Sequence, residues 1–222
     1  MNIVVINGSP KGENSDTMKL TRAFLDGMVE TAEIVDTMKS DIRPCKGCYS
    51  CWFKTSGKCC QKDDVAAILE KLQTADLVIW STPLYCYSVP SNCKALMDRT
   101  ISLSGPTMYV DDEGKTHHPG TEDGVKKVIL ISGCGFPDRK GNFDALIFQF
   151  QRMFGSDIPM ILCMEAPLLS FKGTECVTKP YLEAVRSAGM EYRQTGRISA
   201  DTQTVLDALM LPPDEYRKGI NG

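Results

Sequence analysis

The chain has 222 residues, 42% hydrophobic and 24% charged, with a net charge of −3. That is ordinary globular composition, long enough to bury roughly 70% of the unfolded surface without covalent staples. It is too near neutrality for a nucleic acid or an anionic membrane held by bulk charge, and no apolar run approaches the ~18 residues of a membrane span.

The first strand-like run, Asn2 to Asn7, starts at once, without the basic and apolar segments of a secretory leader, so a cytoplasmic location is expected. A helix pattern opens at about Ser15, with Met18, Leu20, Phe24 and Met28 near one stripe. Thr31 to Thr37 reads as a second strand. A cysteine-rich segment, 45–60, then interrupts the alternation. Asp63 suits the cap of a helix from Val65 to Leu72. Asp76 to Thr82 is apolar on both faces, as a buried parallel strand must be. Ser91 to Ser102 reads as a helix entered at Pro90, with Asp98 and Arg99 as a surface charge pair at its end.

A polar insertion at 106–124 precedes the fourth strand, Lys127 to Ser132; its His117 and His118 are expected in a solvent-facing loop. Asn142 suits the cap of a helix whose Phe143, Leu146, Ile147, Phe150 and Phe154 recur at helical spacing. Pro159 to Glu165 is a fifth strand. Leu182, Val185 and Gly189 mark a later helix face, and a last helix, Ser199 to Met210, stops before Pro212 and Pro213. Strands alternating with helices predict an α/β fold, a three-layer α/β/α sandwich on a five-stranded parallel sheet, in one domain spanning 1–222.

Ligands of such sheets bind beyond the carboxyl ends of the strands. The first such end, Asn7-Gly-Ser-Pro-Lys-Gly-Glu-Asn-Ser-Asp-Thr17, is rich in hydroxyls and opens onto a helix, so its amides and hydroxyls can surround a phosphate. It is neither a dinucleotide fingerprint nor a Walker loop, and it suits a monophosphate ester such as that of FMN. The competing reading is an ordinary turn with Ser15 as helix cap. The ends after the third and fourth central strands, Thr82-Pro-Leu-Tyr-Cys-Tyr-Ser-Val-Pro90 and Ser132-Gly-Cys-Gly-Phe-Pro137, carry aromatics and small residues suited to a flat ring.

In this order the three loops resemble the flavodoxin-like NAD(P)H-dependent FMN reductase family over about Met1 to Glu165. The resemblance implies the sheet order 2-1-3-4-5 and noncovalent FMN, with its phosphate on Ser9, Lys11, Asn14, Ser15 and Thr17. The ring would lie on Pro83, Leu84, Tyr85, Cys86, Tyr87 and Ser88 and on Gly133, Cys134, Gly135 and Phe136. NAD(P)H would be the hydride donor, and flavin, quinone or another small molecule the acceptor. The flavin carries the chemistry, so no catalytic side chain is assigned. A homodimer or homotetramer is also implied.

Five of the ten cysteines fall between positions 45 and 60; the other five sit in apolar stretches, where cysteine acts as a small hydrophobe. Cys45, Cys48, Cys51 and Cys59 have the spacing C-x2-C-x2-C-x7-C, and such tight spacing lets thiolates converge on an iron–sulfur cluster. Cys60 competes as fourth ligand. The segment resembles the iron–sulfur flavoprotein branch of the same family, which implies a [4Fe-4S] cluster and a ferredoxin-like partner. The alternative is packing or redox thiols without metal. Trp52 either covers the flavin or fills the core.

Overall fold

Side chains of the central strands alternate between two apolar layers, and this fixes the architecture. The computed structural model describes residues 1–112, 114–120 and 127–221. The parallel sheet is built from β1 (Ile3–Asn7), β2 (Glu33–Asp36), β3 (Leu77–Pro83), β6 (Val128–Gly133) and β7 (Met160–Cys163), in the order β2-β1-β3-β6-β7. Counting these five strands alone, that is the expected 2-1-3-4-5. Ile3, Val5, Leu77, Ile79, Ile129, Ile131 and Ile161 face one layer, with α1 (Asp16–Met28) and α6 (Glu175–Thr195). Val4, Ile6, Val78, Trp80, Val128, Leu130 and Leu162 face the other, with α3 (Val65–Thr74), α4 (Ser91–Arg99) and α5 (Asp144–Phe154). The period of two in each strand thus fills both faces of the sheet.

Several boundaries differ from the sequence expectations. β2 is shorter and mostly exposed, as an edge strand. β7 stops at Cys163, and Glu165 turns to a left-handed φ of 56° just beyond it. The helix after β3 ends at Arg99 and tightens into a 3-10 turn at Thr100–Leu103. Asn142 does not cap α5; its side-chain amide donates to the Asp138 carbonyl at 2.7 Å. The helix expected over Ser199 to Met210 is α7 (Ala200–Leu206), shorter at its C-terminal end and capped by Ser199, whose Oγ accepts from the Thr202 N–H.

Pro213 starts a helix rather than ending one: α8 (Pro213–Asn221) opens on it, where its missing N–H costs nothing. Two further elements lay unpredicted, the short α2 (Ser50–Phe53) and a hairpin of β4 (Tyr109–Val110) and β5 (Thr116–His117). The hairpin occupies the polar insertion, of which residues 113 and 121–124 fall outside the described residues. Among the described residues no helix is long and apolar enough to cross a membrane.

α1 and α6 pack through two glycines. A Cβ at Gly27 would stand 1.9 Å from the Arg186 carbonyl oxygen, and one at Gly189 2.0 Å from that of Phe24. Neither neighbour is a flexible side chain, so the helices must separate to admit a methyl group. Gly189→Ala is expected to cost about 1–3 kcal/mol of stability, read as a lower denaturant midpoint at unchanged m-value.

Candidate functional site

The chain leaves β1, β3, β6 and β7 at the same edge of the sheet, and the order reverses between β1 and β3, where such folds open a crevice. A cleft of about 150 Å³ lies at these ends. From the first loop it takes Ser9, Lys11, Ser15 and Thr17; from the second, Pro83, Leu84 and Tyr85; from the third, Gly133, Cys134 and Gly135. Asn14, Cys86, Tyr87, Ser88 and Phe136 do not line it. Asp16, Ala166 and Pro167 do, and the sequence reading missed them. Ala166 and Pro167 follow β7, whose chain end carries no glycine-rich or hydroxyl-rich signal. They reach the cleft because Glu165 and Ala166 donate N–H groups to the carbonyls of Phe136 and Cys134.

The hydroxyls of the first loop are already arranged. Ser15 caps α1, its Oγ accepting from the Met18 N–H at 3.2 Å and lying 3.2 Å from Thr17 Oγ1. Ser9, Ser15 and Thr17 are 2–3% exposed, while the Lys11 side chain is 66% exposed. The first amides of α1 lack acceptors inside the helix and carry the positive end of its dipole. Asp16, the acidic member, is neutralised by Lys19 at 3.5 Å and Lys11 at 3.8 Å.

The second loop is strained. Cys86 and Tyr87 have φ of 48° and 64°, closing a turn in which the Tyr85 and Ser88 backbones exchange hydrogen bonds at 2.9 and 3.0 Å. Turns of this kind favour Gly, Asn or Asp; side-chain-bearing residues there cost about 1–2 kcal/mol each. The turn leaves Tyr85 and Tyr87 about half exposed beside the cleft. Gly133 is required by space: a Cβ there would meet that of Ala166 at 2.7 Å.

Glu165, fully buried, ties the C-terminal segment beneath this edge. Its Oε2 accepts from the Met210 and Leu211 N–H groups at 2.8 and 3.2 Å, and the Tyr216 hydroxyl donates to the Gly135 carbonyl at 2.8 Å. Burial raises the Glu165 carboxyl above its ordinary range, against the effect of those two amides.

A second cavity, of about 280 Å³, lies in the connection between β2 and α3. Cys45, Cys48, Cys51 and Cys59 all line it, and Cys60 does not. Cys60 instead sits on the exposed side, its sulfur 3.8 Å from that of Cys48. Hydrogen bonds from Ser50, with a smaller one from Cys60, lower the Cys48 thiol to about 7; burial, with the charges of Cys59 and Cys48, raises Cys51. Among the described residues no three His, Cys, Asp or Glu side chains converge on a single ion. Of the remaining cysteines, Cys93 and Cys163 are pushed up to about 12 by burial and act as core residues, but Cys86 and Cys176 are exposed, against the packing expectation.

Arg99 and Asp63 corrected two expectations. Asp63 accepts from the Val65 N–H at 3.3 Å, but its main partner is Arg99. The Arg99 Nη1 and Nη2 groups donate to the two Asp63 carboxylate oxygens at 2.8 and 3.1 Å, with both side chains at most 1% exposed. Arg99 is therefore no surface charge; Asp98 pairs with Lys94 outside. Trp52 neither covers the first cleft nor joins the core. Its Nε1 donates to the Ile101 carbonyl at 2.9 Å, and its ring packs on Tyr49 and His118. Both histidines are half-buried in the hairpin, His117 with its Nε2 2.6 Å from Asp111.

Residues 1–116 match the family described as NADPH-dependent FMN reductase. An iron–sulfur flavoprotein of Archaeoglobus fulgidus is 36% identical over 101 residues, 45% of this chain and 49% of that protein. One from Methanocaldococcus jannaschii is 37% identical over 106 residues, 46% of this chain and 53% of its own. The chain thus spans about half the length of these curated relatives. An FMN-dependent NADH-azoreductase from Bacillus anthracis, solved with FMN, superposes with a TM-score of 0.62 over 87% of this chain and 100% of its own; at 17% identity this is a likeness of fold.

The buried pair predicts a pH dependence. Burial pushes the Asp63 carboxyl up, but the Arg99 hydrogen bonds and charge and the Arg43 and Val65 amides more than offset it, so its folded pKa is lowered. The stability it supplies is then complete above the unfolded carboxylate value near 4 and is lost as pH falls through the lower folded value. Asp63→Asn leaves Arg99 buried and uncompensated, and should cost about 3–5 kcal/mol at pH 7. In unfolding curves against pH, its deficit relative to wild type should shrink only below about pH 4.

Proposed function

The chain belongs to the NADPH-dependent FMN reductase family, flavin-dependent oxidoreductases, and on that premise we propose that it is an iron–sulfur flavoprotein, exchanging electrons between FMN, a [4Fe-4S] cluster and an external partner. The observation that supports this reading is that Cys45, Cys48, Cys51 and Cys59 all line one cavity. Four cysteines lining one cavity are the residue type and number that such a cluster needs. The names of the two archaeal relatives support it. The reading takes 1–222 as one FMN-binding unit.

The first cleft fits FMN by its donors. Ser9, Ser15 and Thr17, with Lys11 and the first amides of α1, would hold the phosphate. Pro83 to Tyr85 and Gly133 to Gly135 would hold the ring, flanked by Cys86, Tyr87, Ser88 and Phe136, while Asn14 keeps to the loop's outer side. When bound, the flavin supplies both hydride acceptance and one-electron transfer, and the cluster supplies one-electron steps only. The chain's own work is to bind and orient: hydroxyls and a helix dipole neutralise the phosphate, and the strained Tyr85–Ser88 turn holds backbone at the ring's edge. Cys45, Cys48, Cys51 and Cys59 would hold the cluster as thiolates, a form the Ser50 hydrogen bonds favour at Cys48. NAD(P)H as donor, and a ferredoxin-like protein or small molecule as acceptor, complete the reading.

The test is an anaerobic absorption spectrum of fresh protein with iron and acid-labile sulfide assayed on the same sample. Flavin bands with about four irons and four sulfides per chain are expected. Cys48→Ala should keep the flavin and lose the iron. Flavin without iron would overturn the cluster and leave an NAD(P)H-dependent reductase of flavins, quinones or other small acceptors. For the flavin site, Thr17→Val should weaken FMN binding about tenfold, the ~1.4 kcal/mol scale of one lost hydrogen bond to a charged group, measured by fluorescence titration of the apoprotein.

A further inference from the structure

The loop after β6 is held by its carbonyls. Cys134, Gly135 and Phe136 are consecutive, and each carbonyl accepts a hydrogen bond from elsewhere in the chain. The donors are the Ala166 N–H at 2.9 Å, the Tyr216 hydroxyl at 2.8 Å and the Glu165 N–H at 3.2 Å. Two of them follow β7, beside the loop. The third comes from α8, 81 residues along the chain. The Gly135 and Phe136 N–H groups have no acceptor among the described residues. Residue 137 is proline and adds no N–H. The loop thus has its acceptors used and its donors left over, and Gly135 lines the first cleft.

Tyr216 is 3% exposed, and the chain around it is fastened on both sides. Glu165, itself fully buried, accepts from the Met210 and Leu211 N–H groups at 2.8 and 3.2 Å. Arg139, just past the loop, pairs with Asp207, and Arg217 lies 3.9 Å from Asp138. Gly135 has no Cβ, so its backbone is the freest in the loop, and an untethered peptide there can turn its carbonyl toward the cleft. In a trans peptide the N–H points opposite to the C=O. Fixing the Gly135 carbonyl on Tyr216 therefore fixes the Phe136 N–H pointing away from α8.

Resting on the flavin reading of the first cleft, we propose that Tyr216 is a positioning residue of that site: its hydroxyl holds the Gly135 carbonyl away from the cleft, so that the loop after β6 meets the flavin ring with N–H donors. The ring of oxidised FMN presents carbonyl oxygens and lone-pair nitrogens, which need donors, and a backbone carbonyl turned toward them would repel. The phosphate is served by the first loop and does not depend on Tyr216. A determinant of ring binding thus lies outside residues 1–116, the stretch that matches the family.

The experiment titrates FMN into the full-length apoprotein of wild type, Tyr216→Phe and Thr17→Val, and records the visible absorption of the bound flavin at saturation. Tyr216→Phe keeps the packed ring and removes one hydroxyl. It should weaken FMN about fivefold, the scale of one neutral hydrogen bond, and shift the bound flavin's visible band, which reports hydrogen bonding to the ring. Thr17→Val should weaken FMN without moving that band. Unchanged affinity in Tyr216→Phe would overturn the role of Tyr216, and so would weaker binding with the band in the wild-type position, the mark of a merely structural loss. A second measurement needs no variant and covers the case of a Tyr216→Phe chain that folds badly: amide hydrogen exchange of wild type with and without FMN. Exchange at Gly135 and Phe136 should slow on binding, and unaltered exchange at both would overturn the proposal. A wild type that takes up no FMN would overturn the flavin site itself, a different result from a wild type that binds and a variant that binds equally well.

Discussion

A parallel sheet covered by helices on both faces offers its backbone to a ligand only at its edges, and this constraint organises the molecule. Ile3 to Ile6, Leu77 to Trp80 and Val128 to Ile131 are buried at every position, so no functional group sits on the sheet itself. Polar chemistry begins where the strands end. Asn7, Ser81, Thr82 and Ser132 are buried polar residues at those ends, and the loops beyond them supply hydroxyls, tyrosines and glycines. The strand order reverses between β1 and β3, which separates their loops enough for a cleft to form.

The same residue type takes two chemistries through its surroundings. Cys93 and Cys163 lie in the core, where desolvation suppresses their thiolates and leaves them inert hydrophobes. Cys48 lies on an exposed segment among hydrogen-bond donors, where the thiolate is favoured. The segment that carries it has little core of its own. It is fastened by the Arg99–Asp63 pair, by the Arg43 carbonyl on Arg99, and by Trp52 packed between Tyr49 and His118.

What was legible in the sequence was what local pattern can carry. The central strands stood out because both faces are apolar, and the order of three loops exposed the cleft. Ser15 could be read as a cap because a cap needs only its own neighbours. Arg99 could not be read, since its partner lies 36 residues away and a charged residue at a helix end is usually exposed. Pro213 misled because proline both stops and starts helices, and only the chain beyond it decides. Ala166 and Pro167 reach the cleft through the hydrogen bonds that join the loops after β6 and β7, a tertiary fact without a local signature. Cys59 and Cys60 are similar: spacing treats them alike, and only the tertiary structure shows that Cys59 lines the second cavity and Cys60 does not.

The glycine contact between α1 and α6 gives α6 a say in a cleft that none of its residues lines. α1 is a rigid rod about 20 Å long, with Ser15 and Thr17 at one end and Gly27 near the other. Its far end is clamped against the backbone of α6 with no side chain between them to yield. α6 in turn lies outside residues 1–116, the stretch that matches the family. A lineage that varies its C-terminal region can therefore tilt the rod, and so reset the spacing between the hydroxyls of the first loop and the opposing strand ends, without replacing a single residue that lines the cleft.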